Sequence, residues 1–282
     1  MTMGIMSRRN ALALICFSPL LFAQRLDKEQ VWQDFLKWLK GTSFSGKTII
    51  ADVSQIYHAK LVADGFSVEQ ATQRMVVIDE FLFSRTEGMA IFFDDLFTNR
   101  EDFFTQKPNA YLAQVIQGKK PGTALDISMG QGRNSLYLAQ SGWEVTGFDI
   151  SDEGLSIAQH NAEKAGVKIK TILSGYQDFD FGKNQWDLIA MIYAFFPIRN
   201  EMYVRRLVDS IRPGGILVFE HGMFTGPDEK REEAGKVGIP TQNELLKIFG
   251  TLRVLRYEES TIIPDFGSSE PTPIVRLLAQ KS

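Results

Sequence analysis

Residues 124–151, ALDISMGQGRNSLYLAQSGWEVTGFDIS, restrict the fold more than any other part of the chain. The apolar segment TALDI reads as a buried strand and leads into a loop carrying Gly130 and Gly132. RNSLYLAQSG then reads as a helix closing at Gly142, and WEVTGFDI as a second strand ending at Asp149 and Ile150. Strand, helix and strand in such close succession form a parallel pair with a helical crossover. The alternation continues. SDEGLSIAQHNAEKAG is a helix with Ser151 as its N-cap, Asp152 and Glu153 in the first turn and Lys164 near the end, charges that suit both ends of the helix dipole. VKIKTIL, WDLIAMIYAF and GGILVFE read as third, fourth and fifth strands, the last preceded by the helix EMYVRRLVDSI. This order predicts a mostly parallel sheet covered by helices on both faces, with its ligand site at the carboxyl ends of the strands.

Several ligands use a glycine loop after a first strand. A nicotinamide site calls for a third glycine where this chain has Ser135, and a phosphate loop calls for Gly-Lys-Ser/Thr where it has Arg133 and Asn134. With Asp126, Ser128, Gly130 and Gly132 in the places of a D-x-G-x-G-x-G motif, the stretch resembles the first motif of class I S-adenosylmethionine-dependent methyltransferases, and within them the tellurite-resistance-type branch. WDLIAMIYAFFP, SIRPGGILVFE, NELLKIFGTLRVLRYEE and PIVRLLAQK extend the resemblance in order along residues 122–281. It implies a Rossmann-like three-layer αβα fold, a seven-stranded, mostly parallel sheet with its last strand antiparallel, preceded here by a helical extension. It also implies S-adenosylmethionine as cofactor, contacted by Asp126, Ser128, Gly130, Gly132, Asp149, Ile150, Tyr176, Gln177 and Ile192. Glycine at 130 and 132 lets the backbone approach the methionine part, and Asp149 stands where the family grips the ribose hydroxyls.

The chain departs from the family at two positions. Ser128 replaces the usual first glycine, and Gly175 takes the place after the third strand where an aspartate often meets the adenine amino group; Tyr176, Gln177 and Asp178 are the alternatives for that contact. Methyl transfer is an in-line displacement that needs positioning and water exclusion more than a catalytic triad. If the acceptor carries a proton, His221, Tyr193 and Glu220 lie at the correct strand ends for a base. The expected function is methyl transfer to a small molecule. The rival from another class is a cofactor-binding or interaction protein without turnover, for which Ser128 and Gly175 speak.

One cysteine, Cys16, and three histidines, His58, His160 and His221, exclude disulfides and thiolate metal sites and argue against a structural metal. A net charge of −3 argues against a nucleic-acid partner. Oligomeric state is not readable. Residues 1–23, with Arg8 and Arg9 ahead of a short apolar stretch, have the layout of a twin-arginine-like export signal, too short for a stable membrane anchor; the alternative is a hydrophobic helix in a cytoplasmic protein. Residues 24–118 read as a helical extension, with Val31, Phe35, Trp38 and Leu39 on one face, a capping box at Ser67 and Gln70, and a phenylalanine-dense stretch. Residues 119–282 form the cofactor domain. Phe92, Phe93, Phe97, Phe103 and Phe104 are core residues or a roof over a ligand. The polar insertion at residues 222–240 is a candidate lid.

Overall fold

The structure is a computed structural model, and it describes residues 26–44, 48, 50–99, 105–227, 231–265 and 270–282. The expected export signal and Phe103 and Phe104 lie outside the described residues.

The chain order is α1 (Lys28–Lys40), α2 (Ile50–Ala63), α3 (Val68–Ser84), α4 (Glu87–Asn99), α5 (Ala110–Ile116), β1 (Thr123–Ile127), α6 (Arg133–Gln140), β2 (Glu144–Asp149), α7 (Asp152–Ala165) and β3 (Ile169–Leu173). It continues with β4 (Trp186–Ile192), α8 (Glu201–Ser210), β5 (Ile211–Gly222), α9 (Arg231–Lys236), α10 (Glu244–Ile248), β6 (Arg253–Ile262) and β7 (Thr272–Gln280). The sheet runs β3-β2-β1-β4-β5-β7-β6, parallel except that β7 pairs antiparallel with both β5 and β6. This is the Rossmann-like methyltransferase arrangement anticipated above. Strand order reverses between β1 and β4, so the ends of β1, β2 and β4 open onto one crevice.

Local signals account for most element ends. Ser151 Oγ accepts the Gly154 N–H at the start of α7, and Gly166 closes that helix in the left-handed conformation. The capping box of α3 is complete, with Ser67 and Gln70 each satisfying the other's backbone N–H. Two strands differ from expectation. β4 stops at Ile192 because Tyr193 takes φ +52°, which turns the chain out of the sheet and hands Tyr193 and Phe195 to the crevice. In β5, Trp186 pairs with Ile211 and Leu188 with Ile216, so Pro213-Gly214-Gly215 forms a bulge inside the ladder rather than a turn before it.

Apolar side chains pack in three clusters. One lies on each face of the sheet, and the third is formed by α1–α4 around the fully buried Trp32, Phe35 and Ile78. α5 packs with the sheet, so the separate helical body ends at α4. Ile150 and Phe195 lie against the third cluster, and Asp94 on α4 accepts the Ser151 hydroxyl at 2.6 Å. These contacts seat α1–α4 over the carboxyl edge of the sheet as a cap. No helix among the described residues is long and apolar enough to cross a membrane.

Candidate functional site

The loop between β1 and α6 takes left-handed backbone at every second residue, with φ +55° at Ser128, +51° at Gly130 and +77° at Gly132. Gly132 is the N-cap of α6, and a Cβ there would lie 2.9 Å from Ala158 Cβ, so glycine is required both by conformation and by close packing on α7. The N-cap glycine offers no side chain to α6 and Asp126 takes only the Ser135 backbone N–H, which leaves those of Arg133 and Asn134 to meet an anion. Asp126 lies beneath the loop rather than in the crevice. It is buried and accepts the Ser135 hydroxyl at 2.7 Å; burial pushes its carboxyl up to about 6 against the opposing Ser135 hydrogen bond. Its role here is to hold the loop to the helix.

Ser128 faces the crevice, and its hydroxyl makes no hydrogen bond among the described residues. A serine at this φ is strained, so Ser128→Gly is expected to raise unfolding free energy by about 0.5–1 kcal/mol. Urea denaturation checks this, and a lowered midpoint would mean that Ser128 earns its place through a contact.

Asp149 is buried at the end of β2. Its Oδ2 accepts the Gly130 N–H at 2.8 Å and its Oδ1 the Ser151 N–H at 2.9 Å. Burial raises its pKa while these backbone donors oppose the rise. The Ile150 backbone N–H adds a third donor, and a carboxylate, with about four lone-pair sites, still has acceptor capacity left. Asp149 opens onto a cavity of about 390 Å3, which Ser128, Gly130, Ile150, Tyr176, Gln177 and Ile192 also line. Gly132 and Asp178 do not line it. Its volume falls in the ordinary range for small-molecule sites, about 300–1,000 Å3.

The opposite wall comes from the cap and the insertion. Met89, Phe92, Phe93 and Phe97 of α4 roof the cavity, and Val237 and Ile239 close it from the segment after α9. Phe97 sits directly on the loop: a Cβ at Gly130 would lie 2.9 Å from its ring, as would one at Gly154. Glycine at 130 therefore admits an aromatic ring of the cap as well as any ligand. Leu82, Arg85 and Thr86 of the cap also line the cavity, and no motif in the sequence marked them.

At the β4–β5 end stand Tyr193 and His221. Tyr193 donates its hydroxyl to Glu220 at 2.9 Å, and burial followed by the Glu220 charge raises its pKa far above the ordinary value. It is therefore held as a donor and is no base. Glu220 is fully committed: Arg276 Nε donates to it at 2.6 Å and Asn109 Nδ2 at 2.7 Å. His221 differs. Its Nδ1 is buried without a hydrogen-bond partner, and burial pulls the imidazole down to about 4 against a smaller contribution from the Gly222 backbone. The ring is thus neutral at pH 7 and lines the cavity. Because its folded pKa lies below the ordinary 6.5, the unfolded chain takes the proton first and stability falls as pH drops from about 6.5 toward 4. Asp126, raised in the fold, acts oppositely in an overlapping window. His221→Asn removes the first contribution, so its stability relative to the wild type is expected to improve by on the order of 1–3 kcal/mol as pH falls from 6.5 to 4. Denaturation series at several pH values check this; parallel profiles would refute it.

The arrangement fits an adenosyl ligand carrying a carboxylate: free N–H groups at α6, a carboxylate for two hydroxyls at β2, and an unpartnered buried acceptor, Gln177 Oε1, beyond it. His58 and His160, on α2 and α7, stand away from this edge.

A family model described as a methyltransferase domain matches residues 124–215. The chain is similar to the probable S-adenosyl-L-methionine-dependent methyltransferase TehB of Haemophilus influenzae, 24% identical over 231 residues that cover 75% of this chain and 78% of that protein. It is 32% identical over 121 residues to an uncharacterized methyltransferase of Synechocystis, covering 42% of this chain and 53% of the relative. Among solved structures, Haemophilus influenzae TehB superposes with a TM-score of 0.52 at 20% identity, over 67% of each chain, a likeness of fold.

Proposed function

We propose, from the premise that this chain belongs to the TehB-like, class I S-adenosylmethionine-dependent methyltransferases, that it methylates an apolar small molecule enclosed between the sheet edge and the helical cap. The observation that carries this reading is the division of one cavity into two walls. The sheet side offers Asp149, the α6 N-terminus and the loop after β3; the cap side offers Met89, Phe92 and Phe93.

When bound, the cofactor supplies the electrophilic methyl group. The residues around it bind, orient and exclude water. Asp149 accepts hydroxyl hydrogen bonds, while the N–H groups at Arg133 and Asn134 receive the carboxylate. The cap phenylalanines and Val237 and Ile239 keep solvent from the acceptor. His221 takes a proton from an acceptor that loses it only as the new bond forms, because a ring held near 4 is too weak a base to ionise a resting alcohol or phenol. The cations lining the cavity are committed elsewhere, Arg133 to Asp265 at 3.1 Å and Arg85 to Glu29 at 2.9 Å, which favours a neutral acceptor over an anion.

Mass-spectrometric detection of S-adenosylhomocysteine across a panel of thiols, phenols and inorganic oxyanions tests this. Release driven by apolar thiols or phenols, and reduced in His221→Ala, is expected. Release driven only by oxyanions would refute the apolar-acceptor reading. Cofactor binding with no turnover on any class would favour the rival without catalysis, for which Phe97 packed on Gly130 speaks. Export remains part of this proposal, and the mass of the mature N-terminus tests cleavage after residue 23.

A further inference from the structure

The helical cap carries a second cavity, of about 470 Å3, bounded by α1, α2, the turn after α2, and α3. It shares no lining residue with the cavity at the sheet edge. Trp38, Tyr57 and Phe66 give it aromatic walls, and the first two rings lie with centroids 4.6 Å apart. Its volume, like that of the first cavity, suits a small molecule.

The polar groups of this cavity are incompletely paired. Tyr57 is only 3% exposed, yet its hydroxyl makes no hydrogen bond among the described residues. The charges that act on this phenol are those of Asp34, Arg74 and Asp64, and all three residues line the cavity, which places the hydroxyl at its wall. Burial, and after it the Asp34 carboxylate, push the phenol up to about 12, so it keeps its proton and stands as a donor at pH 7.

The charged residues around it leave a positive surplus. Lys60 and Asp64 pair with each other and cancel. Asp34 is the remaining acid among the lining residues, and its Oδ1 accepts the Gln30 amide at 2.8 Å. Against it stand two cations, Lys37 and Arg74, and no carboxylate pairs with either among the described residues. Arg74 is already positioned: its guanidinium lies over the Phe66 ring, 4.1 Å from the centroid, and Nη1 donates to the Gln70 carbonyl at 3.5 Å. Only one of its several N–H donors is used in that way.

We propose that the cap cavity binds a planar aromatic compound bearing one negative group, with its ring against Trp38 and Phe66, its anion at Arg74 and Lys37, and a polar edge accepting from Tyr57. Aromatic walls favour a ring in offset or edge-on contact, and a guanidinium favours a carboxylate that takes two parallel N–H donors. A cationic ring would meet two unpaired cations and a single acid. A neutral ring would forgo the charged contact. The proposal does not depend on the cofactor reading above, because the two cavities have no wall in common.

Calorimetric titration of the full chain with indole-3-acetate, indole and tryptamine tests it, since the three probes share one ring and differ in charge. Indole-3-acetate is expected to bind one-to-one and at least about tenfold more tightly than tryptamine. Arg74→Gln is expected to weaken indole-3-acetate by about tenfold, the loss of a charge-assisted hydrogen bond, while leaving indole within about twofold. A collapsed cap would lose both probes alike. Tyr57→Phe is expected to weaken indole-3-acetate by about fivefold, the loss of a neutral hydrogen bond. Lys37→Gln supplies the same charge comparison should Arg74→Gln fail to melt cooperatively. No heat from any of the three probes, tryptamine bound as tightly as indole-3-acetate, or indole-3-acetate bound equally well by wild type, Arg74→Gln and Tyr57→Phe overturns the proposal.

Discussion

Asp149→Ala is expected to lower affinity for S-adenosylmethionine by at least about 100-fold, with the smaller change in melting temperature that distinguishes a lost ligand contact from a lost fold. The carboxylate does two things at once. It accepts backbone N–H groups from Gly130 and Ser151, fixing the glycine loop and the start of α7, and in the site proposed above it would also accept two ligand hydroxyls. Hydrogen bonds to a charged acceptor contribute about 1.5–3 kcal/mol each, so losing two gives the stated fold-change. Asp149→Asn keeps one oxygen and is expected to fall between wild type and alanine. Titration beside thermal melts of the same samples checks both variants. Alanine binding within about threefold of wild type would remove Asp149 from the cofactor site.

The second large effect lies behind the cavity. Glu220 is only 1% exposed at its side chain and is bound by Arg276, Asn109 and Tyr193. Arg276 is itself held charged: burial alone would lower its pKa, but the Glu220 and Glu258 carboxylates raise it overall. Arg276→Met leaves the Glu220 carboxylate buried beside no cation, which typically costs about 3–5 kcal/mol. Removing both partners in Glu220→Gln/Arg276→Met is expected to recover much of that loss, because the penalty belongs to the uncompensated charge rather than to the missing pair. Urea denaturation of both single variants and the double variant closes the cycle. A double variant as unstable as the sum of the singles would show that the pair is not coupled. Since Tyr193 hangs from the same carboxylate, the single variants also loosen one wall of the cavity.

What the sequence showed of this molecule is what is written locally. The β1–α6–β2 unit, the Ser151 cap, the Ser67–Gln70 box and the strand order's consequence for the site follow from spacing within a few residues. Asp149 was legible for the same reason, a carboxylate at the end of a strand after a glycine loop. The rest depends on pairs far apart in the chain. Asn109 meets Glu220 across 111 positions and Arg276 meets it across 56, and no local pattern announces either. The cap residues Leu82, Arg85 and Met89 become cavity wall only because Asp94 docks α4 on Ser151. Tyr193 reads as one more strand residue until its positive φ turns it outward. Tyr176, Gln177 and Asp178 were candidates for the purine contact by position; Tyr176 and Gln177 line the cavity, whereas Asp178 is exposed and does not.

The central claim is that the crevice at the ends of β1, β2 and β4 is an S-adenosylmethionine site. Calorimetric titration of the purified chain with S-adenosylmethionine, with NAD as the comparison ligand, tests it most directly. Saturable one-to-one binding of S-adenosylmethionine in the micromolar range and no heat from NAD is the predicted result. Binding of NAD alone, or of neither ligand, would contradict the account.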